Sequence, residues 1–258
     1  MTRRIIAIGG GGFLMERRPS RLDEFFVYAT GVRRPRICFI STGGGDTEES
    51  LTKYYKAFSK LGCVPSHLAF FRKPRTGAIP LHRIEKRLLL QDAIYVGGGN
   101  TRSMLAVWRE WRLDRILQKA WRSGILLGGV SAGAICWFEF GATDSVFGPG
   151  RSTPMPCLGF LPGSCSPHFD GEPHRRGDFR RLIGSGKLPR GIGIDDGAAV
   201  LFHDRTIAEV VSSKTGATAY QVTRRSDAVE VEPIRASRLS SKPNPRIHAD
   251  ARKSGARG

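Results

Sequence analysis

The sequence predicts an α/β protein with a mainly parallel sheet flanked by helices and a β-rich C-terminal part. Three observations carry this reading. Short apolar runs at residues 5–8, 37–40, 93–96 and 124–127 each lead into a glycine-rich stretch. They show no polar alternation, as expected of strands covered on both faces in a parallel sheet. Helical stretches separate several of them, which is the signature of βαβ units. In such a sheet ligands collect beyond the strand C-termini, so the glycine loops after Ile8, Ile40, Val96 and Leu127 should share one edge.

Taken in order, Arg4-Ile-Ile-Ala-Ile8 reads as a buried strand running into Gly9-Gly-Gly-Gly12. These glycines fit neither GxGxxG before a clean helix nor GxxxxGK[ST], so the loop is not read as a nucleotide cradle. A second strand at 36–40 meets Ser41-Thr-Gly-Gly-Gly45, and Asp46-Thr-Glu-Glu caps a helix over 50–61. Residues 63–71 supply a third strand, 84–90 a helix, and 92–96 a strand ending in Gly97-Gly-Gly-Asn100. The spacing of Met104, Leu105, Trp108, Leu113 and Leu117 predicts one helix over 101–117 packed on the sheet. Gly124-Ile-Leu-Leu is a further strand, and 132–138 can run as a helix. Residues 141–163, rich in Gly and Pro, read as loops. Residues 193–202, 206–211 and 219–222 have the length and β-branched content of strands. From Arg235 apolar periodicity is lost. The expectation is a single domain over 1–234 and a disordered basic tail over 235–258.

The chain has 258 residues, a net charge of +18 and 40% hydrophobic content, enough for a sizeable core. Its Lys and Arg are scattered and accompany no nucleic-acid motif, so a generally basic surface is expected, with no specific nucleic-acid partner. Five cysteines without CxxC spacing read as reduced packing residues. No apolar run approaches 18 residues and the N-terminal run is too short for a signal peptide. The expectation is a cytoplasmic protein without a membrane partner, and a homodimer is plausible because Trp108 and Trp111 could lie near a surface.

The chemistry centres on Gly129-Val-Ser131-Ala-Gly133, where strand, tight turn and helix give the context of a nucleophile elbow. Small residues let the backbone turn sharply enough to project the Ser131 hydroxyl, and the Ala132 amide becomes an oxyanion donor. Serine needs a base, and the base needs a carboxylate to orient it. Among six histidines, His168 in Ser-Pro-His-Phe-Asp is the best candidate: Pro167 fixes the loop and Phe169 can anchor it. For the acid, Asp144 gives the order Ser…acid…His, while Asp196, with Asp195 as its rival, gives Ser…His…Asp. No cluster has metal-ligand spacing and no cofactor is implied.

Val96-Gly-Gly-Gly-Asn100-Thr, Gly129-Val-Ser-Ala-Gly-Ala134, Pro167-His168-Phe and Gly193-Ile-Asp-Asp-Gly197 occur in that order. On these motifs the chain resembles, over about residues 5–234, the peptidase E family of serine peptidases, which includes aspartyl dipeptidases and cyanophycinase relatives. The resemblance implies a sheet like that of class I glutamine amidotransferases, Ser131 as nucleophile, His168 as base and an acid at Asp196, where many relatives carry Glu. It also implies Gly99 as second oxyanion donor, Asn100 shaping the pocket and Asp144 gripping a substrate ammonium. The implied substrate is a dipeptide or short peptide, with cleavage of β-linked Asp–Arg material as the alternative hydrolase reading. A basic, non-catalytic binding protein is the alternative outside that class.

Overall fold

A computed structural model describes residues 2–16, 19–72, 76–226 and 228–239. In chain order its elements are β1 (Arg4–Ile8), α1 (Arg21–Ala29), β2 (Arg36–Ile40), α2 (Glu48–Lys60), β3 (Val64–Leu68), α3 (Ile84–Leu88), β4 (Ala93–Val96), α4 (Thr101–Glu110) and α5 (Leu113–Arg122). There follow β5 (Leu126–Val130), α6 (Ala132–Ile135), β6 (Phe138–Thr143), β7 (Thr153–Pro156), β8 (Leu161–Ser166), α7 (Pro173–Gly184) and β9 (Gly191–Ile194). The chain closes with β10 (Ala198–His203), β11 (Thr206–Ser212), β12 (Ala219–Arg225), β13 (Ala228–Ile234) and β14 (Ser237–Arg238).

The strands form an eight-stranded sheet, β14-β11-β10-β1-β5-β4-β2-β3, and a six-stranded sheet, β13-β12-β9-β8-β6-β7. In the larger one β1, β5, β4, β2 and β3 are parallel, as the unbroken apolar runs predict, and β10 adds antiparallel to β1. Alternate residues serve opposite faces. Ile5, Ala7, Cys38, Ile40, Ile94 and Val96 pack into a core with α4, α5 and the second sheet. Ile6, Ile8, Ile37, Phe39 and Tyr95 face α1 and α2. A smaller cluster seals α7 onto the second sheet through Phe169, Phe179, Leu182 and Val222.

Several elements differ from expectation for identifiable reasons. The helix over 101–117 is two helices with Arg112 left-handed between them (φ 53). The buried stripe Thr101, Met104, Leu105, Trp108 would continue to Arg112 in a straight helix. The apolar face instead resumes at Leu113 and Leu117, one residue out of phase, so the axis must be re-aimed. Asp46 does not cap α2. Thr47 does, and Asp46 accepts from the Phe70 and Phe71 amides. The elbow helix is a single turn, since Ile135, Trp137 and Phe138 favour extended backbone and β6 begins at Phe138. Residues 141–163 are not only loops: they contain β7 and the start of β8. Pro154 and Pro156 hide β7, and they are tolerated because it is the sheet's edge. Helix α1 was not anticipated, although Ser20 and Asp23 form a capping box at its start.

All five cysteines are unpaired thiols, and burial raises each one's pKa. Trp108 is fully buried, its indole donating to Thr42 Oγ1, so only Trp111 (46% exposed) is available to a partner. Of the basic extension, residues 235–239 are described and β14 pairs parallel with β11. Residues 240–258 lie outside the described residues.

Candidate active site

Strand β5 delivers Ser131 to the C-terminal edge of the large sheet. Ser131 has φ 57 and ψ −115, a backbone state that non-glycine residues enter only when held there, at a cost of about 1–3 kcal/mol. It is held by its own amide donating to Ile8 O (3.1 Å) and by its carbonyl accepting from the Ala134 and Ile135 amides. Glycine is needed beneath the turn, because a side chain at Gly129 or Gly133 would place Cβ 2.2 Å from Val96 O. The amides of Ala132 and Gly133, at the start of α6, donate to no backbone carbonyl among the described residues.

The loop after β4 flanks the serine. A Cβ on Gly98 would lie 3.2 Å from Ser131 Cβ. Gly99 has φ +122 and sits so close to Gly43 that a Cβ would meet its carbonyl at 2.1 Å; only glycine fits there. The Asn100 amide donates to Gly43 O (2.8 Å), while those of Gly98 and Gly99 donate to no backbone carbonyl among the described residues. Asn100 caps α4 through its side chain, which accepts from Ser103 N and donates to Ser145 O. That second bond ties the loop to the segment carrying Asp144.

His168 follows β8 and, like Ser131, is left-handed (φ 52). The Phe169 amide donates to Ile194 O, and the Phe169 ring packs against Gly193, Phe179 and Tyr220. The aromatic thus anchors the loop. Nδ1 of His168 lies 2.6 Å from Asp196 Oδ1, with side-chain exposures of 12% and 19%. That bond, more than any other cause, holds the Asp196 carboxyl below its usual range against the opposing effect of burial. The Asp196 amide donates to Asp170 Oδ1 (2.7 Å), which fixes the turn from the other side.

Two glycines make room for this pair. A Cβ on Gly10 would lie 1.9 Å from Asp196 Oδ1 and 2.7 Å from His168 Nδ1; one on Gly171 would lie 2.3 Å from Asp196 Oδ2. Backbone on both sides therefore closes on the Asp196 carboxylate. The Gly9–Gly12 loop, which fits no phosphate pattern, houses the dyad. Gly10 is also what joins serine to histidine: Ile8 O accepts from Ser131 N, and Gly10 is two residues further on, at most about 7 Å of chain. No hydrogen bond links Ser131 Oγ to His168 among the described residues. Such bonds are commonly long in unliganded sites and tighten when substrate arrives.

The rival acids are engaged elsewhere. Asp195 is 2% exposed, accepts from Thr218 N and is pushed up to about 6, chiefly by burial. Asp144 Oδ2 meets Arg175 Nη2 at 3.2 Å. Arg175 is itself buried, donating to Glu172 Oε2 (2.6 Å) and Ala142 O. The structure brings together a group the sequence spacing does not show: ligand atoms of Asp144, Glu172 and His174 lie within 4.8 Å of one another. Arg175 already supplies positive charge to both carboxylates.

Two expected outcomes follow from the dyad. Gly10→Ala should leave the protein folded but displace Asp196 and His168, lowering kcat by about 10²-fold, the scale of a 1 Å misplacement. A variant that keeps parental kcat contradicts the role given to Gly10. The second concerns acid. A carboxyl depressed in the folded state adds stability that is present above its unfolded pKa, about 4, and is lost as pH falls through the lower folded value. The stability gap between the parent and Asp196→Asn in urea titrations should therefore narrow as pH drops from about 5 to about 3. A gap that widens over that interval is the contrary result.

The family model for peptidase family S51 matches residues 5–210. The chain is 46% identical over 220 residues to the Bacillus subtilis (strain 168) protein named uncharacterized peptidase YgaJ, covering 85% of this chain and 92% of that one. Among solved structures, a peptidase from an acI-B1 Actinobacterium superposes with a TM-score of 0.63 at 18% identity, covering 92% and 96% of the two chains. A protein assigned as peptidase E from Listeria monocytogenes EGD-e gives 0.60 at 18% identity, covering 83% of this chain and all of its own. At such identities the two structures show a shared fold.

Proposed function

The chain belongs to peptidase family S51, and from that premise we propose that it is a serine peptidase cleaving dipeptides or short peptides with Ser131, His168 and Asp196. The single observation that carries the reading is the 2.6 Å contact between His168 Nδ1 and Asp196 Oδ1. A proton on Nδ1 donated to the carboxylate leaves Nε2 as the lone-pair nitrogen, the tautomer a general base requires. His168 removes the Ser131 proton as Oγ attacks the scissile carbonyl. The Gly99 and Ala132 amides receive the oxyanion, His168 returns the proton to the leaving amine, and water releases the acyl-enzyme. Asn100 and Asp144 line the substrate side. Five unpaired thiols favour a reducing compartment, and the proposed location is the cytoplasm.

A dipeptide library screened with the parent and Ser131→Ala in parallel tests the substrate class. Turnover by the parent alone is expected. The net charge of +18 favours substrates with an acidic N-terminal residue, so Asp-X and Glu-X should be cleaved faster than their Asn-X and Gln-X counterparts. Equal rates would remove the acidic preference, and cleavage confined to β-linked Asp–Arg would shift the assignment to the cyanophycinase-like reading.

A further inference from the structure

An open groove of about 460 Å³ lies beside the turn that follows β11. It is walled by the turn between β11 and β12 and by the strand end and β14 that follow β13; Lys214, Thr215, Gly216, Ile234, Arg235 and Arg238 contribute most of its chemistry. Three of these six are cations, and none is in an ion pair with a carboxylate among the described residues. Arg238 instead donates to Thr215 Oγ1 (2.6 Å), a neutral partner that aims its guanidinium along the groove wall. The turn adds backbone donors. Residues 215–216 form a tight turn, and Gly216 (φ +82) gives it a left-handed bend of the kind that makes amide nests.

Cations that line one groove without a carboxylate partner there gain when an anion enters. The donor set fits a tetrahedral oxyanion best: two guanidiniums offer forked hydrogen bonds, an ammonium adds a point charge, and a concave turn offers amides. The turn is fixed against the active site, since Ser213 donates through its amide (2.8 Å) and hydroxyl (3.1 Å) to Gly197 O, the residue after Asp196. The Lys214 stem packs so closely on Gly197 that a Cβ there would meet Lys214 Cγ at 2.7 Å.

We propose that this groove binds a small phosphate-bearing molecule, its phosphomonoester dianion held by Lys214, Arg235, Arg238 and the amides at the tip of the 214–216 turn. The Lys214 charge also helps hold the Asp196 carboxyl below its usual range, but neither Ser131 nor His168 lines the groove, and nothing in its chemistry depends on Ser131.

Calorimetric titration with inorganic phosphate at constant ionic strength tests this, using the parent, Ser131→Ala, the double variant Arg235→Gln/Arg238→Gln, the single variant Lys214→Met and a charge-matched control, Arg33→Gln/Arg34→Gln. Arg33 and Arg34 are exposed just before β2, which four strands separate from β11 across the sheet. Saturable binding is expected in the parent, in Ser131→Ala and in the control, weakened about tenfold or more by the double variant and by Lys214→Met, the scale of losing hydrogen bonds to a charged group. Equal weakening in the control would reduce the effect to net charge and overturn the site. So would the absence of saturable binding, or binding confined to an oligonucleotide lacking a terminal phosphate. Loss of phosphate binding in Ser131→Ala would place the anion in the catalytic centre and overturn it too, whereas failure of the peptidase reading leaves the titration unchanged.

Discussion

Replacing Ser131 with alanine is expected to lower kcat on any peptide the parent cleaves by about 10⁴-fold or more, with the oxyanion donors and substrate binding sustaining the remainder. The size of the effect follows from how the residue is built into the fold. Its amide is bonded to Ile8 O, its carbonyl to the first turn of α6, and its left-handed backbone leaves Oγ as the part not committed to structure. Alanine tolerates the same backbone as well as serine does, so the variant should fold, and its melting temperature should stay near the parent's. Loss of activity with retained folding assigns the effect to the hydroxyl. A variant that cleaves as fast as the parent would remove Ser131 from the chemistry.

Asp196→Asn should come next, with a fall in kcat of about 10³–10⁴-fold. The amide keeps the volume of the carboxylate, which matters between Gly10 and Gly171, but it can present an N–H to Nδ1 and so favour the wrong imidazole tautomer. Asp144→Asn provides the contrast. Asp144 meets Arg175 and not His168, and Arg175 keeps Glu172 as a partner when that contact is weakened. Its effect should fall mainly on KM, with kcat changed by less than about tenfold, the pattern of lost substrate binding without lost transition-state stabilisation. A larger kcat loss at Asp144 than at Asp196 would transfer the orienting role.

Much of this arrangement is legible in the chain. The parallel strands are visible because both of their faces are buried, which removes polar alternation from residues 5–8 and 93–96. The elbow is visible because a sharp strand-to-helix turn demands small residues on both sides of Ser131. The choice among Asp144, Asp195 and Asp196 is not visible from spacing. It depends on β9 lying in one sheet and β10 in the other, with Asp196 at the crossing, and on Gly10 from the opposite end of the chain closing over it. Gly10 and Gly171 carry no signal as catalytic supports, since their contribution is the absence of a side chain. Arg175 is similarly hidden: within Pro173-His-Arg-Arg it reads as a solvated charge, and only the fold shows that it is buried and bonded to Asp144, Glu172 and Ala142 O.

The most direct test of the central claim is covalent trapping with a fluorophosphonate, read by peptide mass spectrometry. If His168 activates Ser131 as proposed, a single stoichiometric adduct should form on the peptide containing Ser131, slowed by orders of magnitude in His168→Ala and absent from Ser131→Ala. A parent protein that hydrolyses peptides yet takes up no phosphonate at Ser131, or takes it up equally fast without His168, would contradict the account.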